Sequence, residues 1–151
     1  MRGSPIFASA VSTTRTLDAW GWIFAIGGAV CAANALWMLA GPLHWYHDLP
    51  AGVPDTGPFN PHFVRDIGCA FLATGVALVW AALAPRWRPA LVPIAALFLG
   101  GHALVHVYDT ASGALDAHHW WLDAPGVYGP ALLIGYAALA QRARIGTDGG
   151  P

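Results

Sequence analysis

His102, His106 and Asp109 stand at i, i+4 and i+7 in the segment Gly100-Gly101-His102-Ala103-Leu104-Val105-His106-Val107-Tyr108-Asp109. On a helix these three side chains share one stripe. His62, Asp66 and Cys69 repeat the spacing. Neutral imidazole is the commonest metal ligand, and His with Asp suits Zn, Fe, Mn or Cu(II). A carboxylate beside a histidine serves in either of two ways: it binds the ion directly, or it holds the imidazole tautomer from behind. The candidate metal ligands are His102, His106 and Asp66, with His62, Asp109, His118 or His119 completing the set. Arg65, Asn34, Tyr128 and Asp123 are candidates for the supporting shell.

The elements that carry these groups are apolar. The chain has 151 residues, 56% hydrophobic and 10% charged, with no Lys and no Glu. Soluble domains are nearer ~25% charged. Eight Trp in a chain of this length favour membrane interfaces. The formal net charge of -1 gives no reason to propose nucleic-acid binding. Four apolar runs are expected to span a bilayer, at about 20–41, 63–84, 90–108 and 127–140. The last is the shortest, and Pro125 and Pro130 bend or delay its start. The fold expected is all-α, an integral membrane antiparallel four-helix bundle over 20–141. An N-terminal arm, 1–19, precedes it and a tail, 142–151, follows. Met1–Asp18 lacks a continuous apolar core and reads as a poor signal peptide. Cys31 and Cys69 lie inside apolar runs and read as small buried hydrophobes, not as a disulfide.

Arginine sets the orientation. Arg2, Arg15, Arg86, Arg88, Arg142 and Arg144 fall on one side of a four-span topology, and only Arg65 falls on the other. The positive-inside rule then predicts cytoplasmic N and C termini. Trp20, Trp22, Trp80 and Trp87 mark the inner interface; Trp37, Trp45, Trp120 and Trp121 mark the outer one. The outer loops, 42–62 and 109–126, are long, aromatic and proline-stiffened, and long loops of this kind are functional more often than disordered.

With these spans every histidine falls at the outer side: His44, His47, His62, His102, His106, His118 and His119. Spans two and three are joined by a short link and should be antiparallel neighbours. Counting turns from the outer surface then pairs Asp66 with His106, Cys69 with His102 and His62 with Asp109. Ionisable groups inside a membrane are functional-site candidates by default. The leading expectation is a metal-binding site, redox-active in one version, in the outer half. The first alternative is a structural or accessory subunit of a membrane complex, whose His/Asp/Arg network caps the bundle. Haem b held by His102 or His106, and a quinone pocket lined by Trp, Tyr, His and Arg, are further alternatives. Expected partners are the lipid bilayer and a membrane complex or homodimer. Gly27-Gly28, Gly100-Gly101 and Gly68 are expected to allow close helix approach.

The whole chain resembles the small bacterial four-span proteins grouped as DoxX-like or similar uncharacterised families. The likeness lies in length, topology and glycine-rich spans. The segments Asn60-Pro61-His62-Phe63-Val64-Arg65-Asp66-Ile67-Gly68 and His102/His106/Asp109 look like family-type motifs. The resemblance implies a bacterial cytoplasmic membrane and a link to membrane redox and quinone chemistry, without assigning a catalytic residue.

Overall fold

The computed structural model describes residues 16–148, with side chains described through Arg142. The N-terminal arm predicted over 1–19 lies almost entirely outside the described residues. Among those residues the chain is all-helical. The helices are α1 (Ala19–Ala40), α2 (Pro42–Asp48), α3 (Pro61–Leu83), α4 (Arg88–Ser112), α5 (His119–Leu122) and α6 (Gly129–Asp148).

Local chemistry sets the helix ends. Asp18 caps α1 by accepting from the Gly21 N–H at 2.7 Å. Asn60 caps α3 by accepting from the N–H groups of His62 and Phe63, both at 3.1 Å, with Pro61 at the first helical position. Gly113 ends α4 with φ of 79°, a left-handed backbone that glycine adopts without a Cβ clash. A single π-turn, Ala124–Tyr128, leads into α6; within it the N–H groups of Val127 and Tyr128 both donate to the Asp123 carbonyl. The long loops contain structure of their own. Trp45 Nε1 donates to Asn34 Oδ1 at 2.8 Å and ties α2 to α1. Tyr46 donates its hydroxyl to the Gly57 carbonyl at 2.7 Å and folds the first loop back on itself.

Three stretches are long and apolar enough to cross a membrane: Ala19–Ala40, Pro61–Leu83 and Pro85–Ser112. The third runs several residues past the predicted 90–108. A fourth long helix, α6, has sufficient length, but Gln141 and Arg142 interrupt its apolar stretch. Its helix continues through most of the tail predicted at 142–151. Large apolar side chains such as Trp22, Val30, Leu97, Leu104 and Leu139 are exposed, Leu97 at 77%. Faces of this kind are compatible with contact to lipid.

α1 packs along α3, α4 packs along α6, and a smaller α3–α4 contact joins the two pairs. The closest crossing is at Gly28 and Gly75. A Cβ on Gly28 would lie 2.7 Å from the Gly75 carbonyl oxygen, and one on Gly75 would lie 2.8 Å from the Gly28 carbonyl oxygen. Gly68 also faces a close neighbour, Met38 Cβ at 3.0 Å, whereas nothing approaches Gly100 or Gly101 within 4 Å. The second glycine pair therefore does not serve the close approach expected of it. Phe24, Leu78, Val92, Leu99 and Ile134, drawn from α1, α3, α4 and α6, form one apolar core. That core lies toward the end where α1 begins, here termed the Arg end. There Arg88 is buried and pairs with Asp18 through both terminal nitrogens, at 2.7 and 2.6 Å. Its Nε donates to the Ala81 carbonyl at 3.0 Å, and its guanidinium lies over the Phe24 ring. Cys31 is half-buried, Cys69 is exposed, and both are free thiols.

Candidate metal centre

At the opposite end, the two long loops meet. The first loop supplies Asp55 from the short 3-10 turn Val53–Thr56. It approaches the second loop closely at Gly52, whose φ is 61° and where a Cβ would sit 3.0 Å from Leu122 Cδ2 and 3.2 Å from His119 Cε1. The second loop supplies His118 and His119 at the start of α5, and Asp123 at its end.

One ligand atom from each of Asp55, His118 and His119 can be chosen so that all three lie within 4.8 Å of one another. His119 Nε2 is 3.3 Å from Asp55 Oδ2, and His118 Nε2 is 4.0 Å from the same oxygen. Donor atoms ~2.0–2.1 Å from a tetrahedral ion lie about 3.3 Å apart, so this spacing suits a first-row divalent ion.

The opposite nitrogen of each imidazole has its own carboxylate. His118 Nδ1 is 3.0 Å from Asp116 Oδ1, which also accepts from the His118 backbone N–H at 2.9 Å. These two donors hold the exposed Asp116 carboxyl below its usual range. His119 Nδ1 is 3.4 Å from Asp123 Oδ2, a long contact. A carboxylate at Nδ1 keeps the proton there and leaves the Nε2 lone pair free to bind an ion. His119 and Asp123 have fully buried side chains, whereas Asp55 and His118 are about half exposed. The cluster thus has a dry back and a water-facing front.

Behind it, Asp123 reaches α4. His106 Nδ1 lies 2.8 Å from Asp123 Oδ2, and the His106 side chain is 17% exposed. The His102 ring packs edge-on against His106 at 4.7 Å between centroids, and also contacts Phe71 and Phe98. Thr110, one turn beyond His106, is buried, and Tyr128 packs against Trp120.

The structure distributes the sequence candidates unevenly. His118 and His119 are in the cluster, and Asp123 stands between His119 and His106. The layer count that paired Asp66 with His106 does not describe the contacts present. Asp66 pairs with His62 on its own exposed helix face at 3.3 Å, while the carboxylate partner of His106 is Asp123 from the second loop. Antiparallel counting placed α3 opposite the α4 stripe, whereas the second loop turns back over that stripe and covers it. Arg65 donates to the Leu39 carbonyl at 3.4 Å, and Asn34 is engaged with Trp45 and Met38. Asp109 forms no ion pair among the described residues. Asp55 and Asp116 were missed. In the sequence each sits among Gly, Pro, Ala and Ser and reads as a turn residue. The one local signal was the Asp116-x-His118 spacing.

Comparisons of the chain with family models, curated proteins and solved structures find no match.

Proposed function

We propose that the chain is a small integral membrane protein that binds a divalent transition-metal ion on Asp55, His118 and His119, at the end of the molecule facing away from the cytoplasm. The observation that carries the reading is the orientation of the two imidazoles. Each has a carboxylate behind Nδ1 and presents Nε2 toward the same Asp55 oxygen. With the Nδ1 protons held by the carboxylates behind them, the two Nε2 lone pairs and the Asp55 oxygen form one donor set for a cation, and without an ion a proton on Nε2 makes the same contact a hydrogen bond.

The membrane plan proposed is a four-span antiparallel bundle with both termini cytoplasmic, α6 being the fourth span. It rests on the arginine asymmetry and on the apolar exposed faces. The DoxX-like likeness is part of the same proposal and rests on length and topology. Three protein ligands with a water-facing front leave a coordination position for water or a substrate, the arrangement catalytic zinc sites use. The polar groups support a site rather than a conduit. Among the described residues the His and Asp side chains of this end stop, going inward, at His102, below which Leu99, Leu78, Val92 and Phe24 form the apolar core. The rings around His102 are Phe71, Phe98 and His106, so the haem reading gains no axial partner from a facing helix.

The test is metal binding by the protein purified in detergent and stripped with a chelator. Titration with Zn(II), and with Co(II) for its visible spectrum, is expected to give one ion per chain. Asp55→Ala and His119→Ala should abolish binding, while His62→Ala should leave it unchanged. Binding that survives both ligand substitutions would overturn the assignment.

A further inference from the structure

The two ends of the molecule are held together by different forces. At the Arg end the α1/α3 pair and the α4/α6 pair share an apolar core, with Arg88 of α4 locked to Asp18 before α1. Toward the His end, among the described residues, that joint thins to Phe71 of α3 against Phe98 and His102 of α4. α4 carries His102, His106 and Thr110 there, next to Gly100 and Gly101, where an added Cβ would meet open space. The connection across this end is made by loops: Asp55 meets His118 and His119, and Gly52 lies against Leu122 and His119. The site therefore takes its ligands from both helix pairs, one from the loop after α1 and two from the loop after α4.

We infer that the ion at Asp55, His118 and His119 acts as a clasp, closing the His end by joining the two helix pairs and letting the two loops separate when it leaves. The inference rests on the metal assignment above. Without the ion, the ligand contacts between the loops are imidazole–carboxylate pairs to a half-exposed Asp55, and exposed pairs of this kind contribute little. An ion needs all three ligands and so binds only the closed arrangement. At a free concentration 100 times its Kd it shifts the closed-to-open ratio by about 100-fold. The apolar core and the Asp18–Arg88 pair stay intact in both arrangements, so the Arg end is the pivot. Opening exposes the buried His119 and Asp123 to the water side.

The experiment places nitroxide labels on Thr56→Cys and Ala114→Cys, two exposed loop positions, in a Cys31→Ser/Cys69→Ser background in detergent. Electron–electron double resonance is recorded after chelation and after adding Zn(II), with bound zinc counted on the same samples. The expected result is a broad distance distribution without zinc and a single narrower, shorter one at one zinc per chain. Asp55→Asn, which alters a half-exposed side chain and leaves the core untouched, should stay broad in excess zinc. Stoichiometric zinc with an unchanged distribution would overturn the clasp and leave the metal site standing. Failure of zinc to bind would remove the site and the clasp together.

Discussion

Asp123→Asn tests the centre from behind the ligands. The Asp123 side chain is fully buried and faces two imidazoles, His106 Nδ1 at 2.8 Å and His119 Nδ1 at 3.4 Å. As a carboxylate it only accepts, so both imidazoles keep the proton on Nδ1. Asparagine fills the same volume but presents one accepting and one donating atom. It therefore satisfies one imidazole as before and drives the other toward the tautomer protonated on Nε2. The amide oxygen keeps the Oδ2 position, 2.8 Å from His106 Nδ1, and the amide N–H takes the Oδ1 position, 3.5 Å from His119 Nδ1. His119 protonated on Nε2 cannot bind an ion until it changes tautomer. Loss of such an outer carboxylate costs about 10–100-fold in metal affinity, or roughly 1.4–2.7 kcal/mol. The expected result is thus weakened binding, in contrast to the abolished binding of His119→Ala. The assay is a competition titration of Zn(II) against a chromophoric chelator in detergent, with circular dichroism confirming unchanged helix content. Unchanged zinc affinity in a folded Asp123→Asn protein would refute the argument that this carboxylate sets the His119 tautomer.

Further expectations follow from the Arg end, the helix crossing and the outer surface. The Arg88 guanidinium holds the Asp18 carboxyl down to about 2, from an ordinary value of 3.8. Because the folded state lowers this value, the stabilisation is fully present above about pH 4 and is lost as pH falls toward 2. After discounting for the half-exposed Asp18 it amounts to about 1 kcal/mol. Asp18→Asn should lose it at neutral pH and flatten this part of the pH–stability curve, while Asp18→Ala should lose a further ~1 kcal/mol with the helix cap; Trp fluorescence during denaturant titration reads both. Gly28→Ala forces a Cβ against the α3 backbone and should cost about 2–3 kcal/mol, whereas Gly100→Ala, with open space, should be neutral or stabilising by up to ~1 kcal/mol. Thermal unfolding in detergent separates the two. His62→Ala and Asp66→Asn remove an exposed pair, and both stability and zinc stoichiometry should stay within error of the parent protein.

Sequence alone indicated an all-helical chain and its long apolar helices, whereas α2 and α5 lie inside segments that read as loops. Hydropathy acts over a few residues and so was legible, while the caps Asp18, Asn60 and Gly113, equally local, were not read, and the predicted third span stops at 108, short of Ser112. It also indicated that imidazoles gather toward one end, because that follows from where apolar runs stop. Two helix boundaries were less legible for local reasons. The π-turn at Ala124–Tyr128 blurs the start of α6, and Arg142 does not end a helix whose backbone bonds continue beyond it. The doublets Gly27-Gly28 and Gly100-Gly101 also look alike in sequence, although of these four glycines Gly28 alone stands against another backbone.

The membership of the candidate site was decided by tertiary structure. His119 meets Asp55 across 64 positions of chain, and His106 meets Asp123 across 17. Neither separation is a helical repeat, so no periodicity reports them. The i, i+4 spacing in span two is satisfied locally by His62 and Asp66 on an exposed face, which removes both from the cluster. Asp55 becomes a candidate ligand because Gly52, in a left-handed conformation, lets the first loop come within contact of His119. The chemistry of imidazole and carboxylate was written in the residue types, but which carboxylate faces which imidazole depends on how two loops, far apart in the chain, dock over the end of α4.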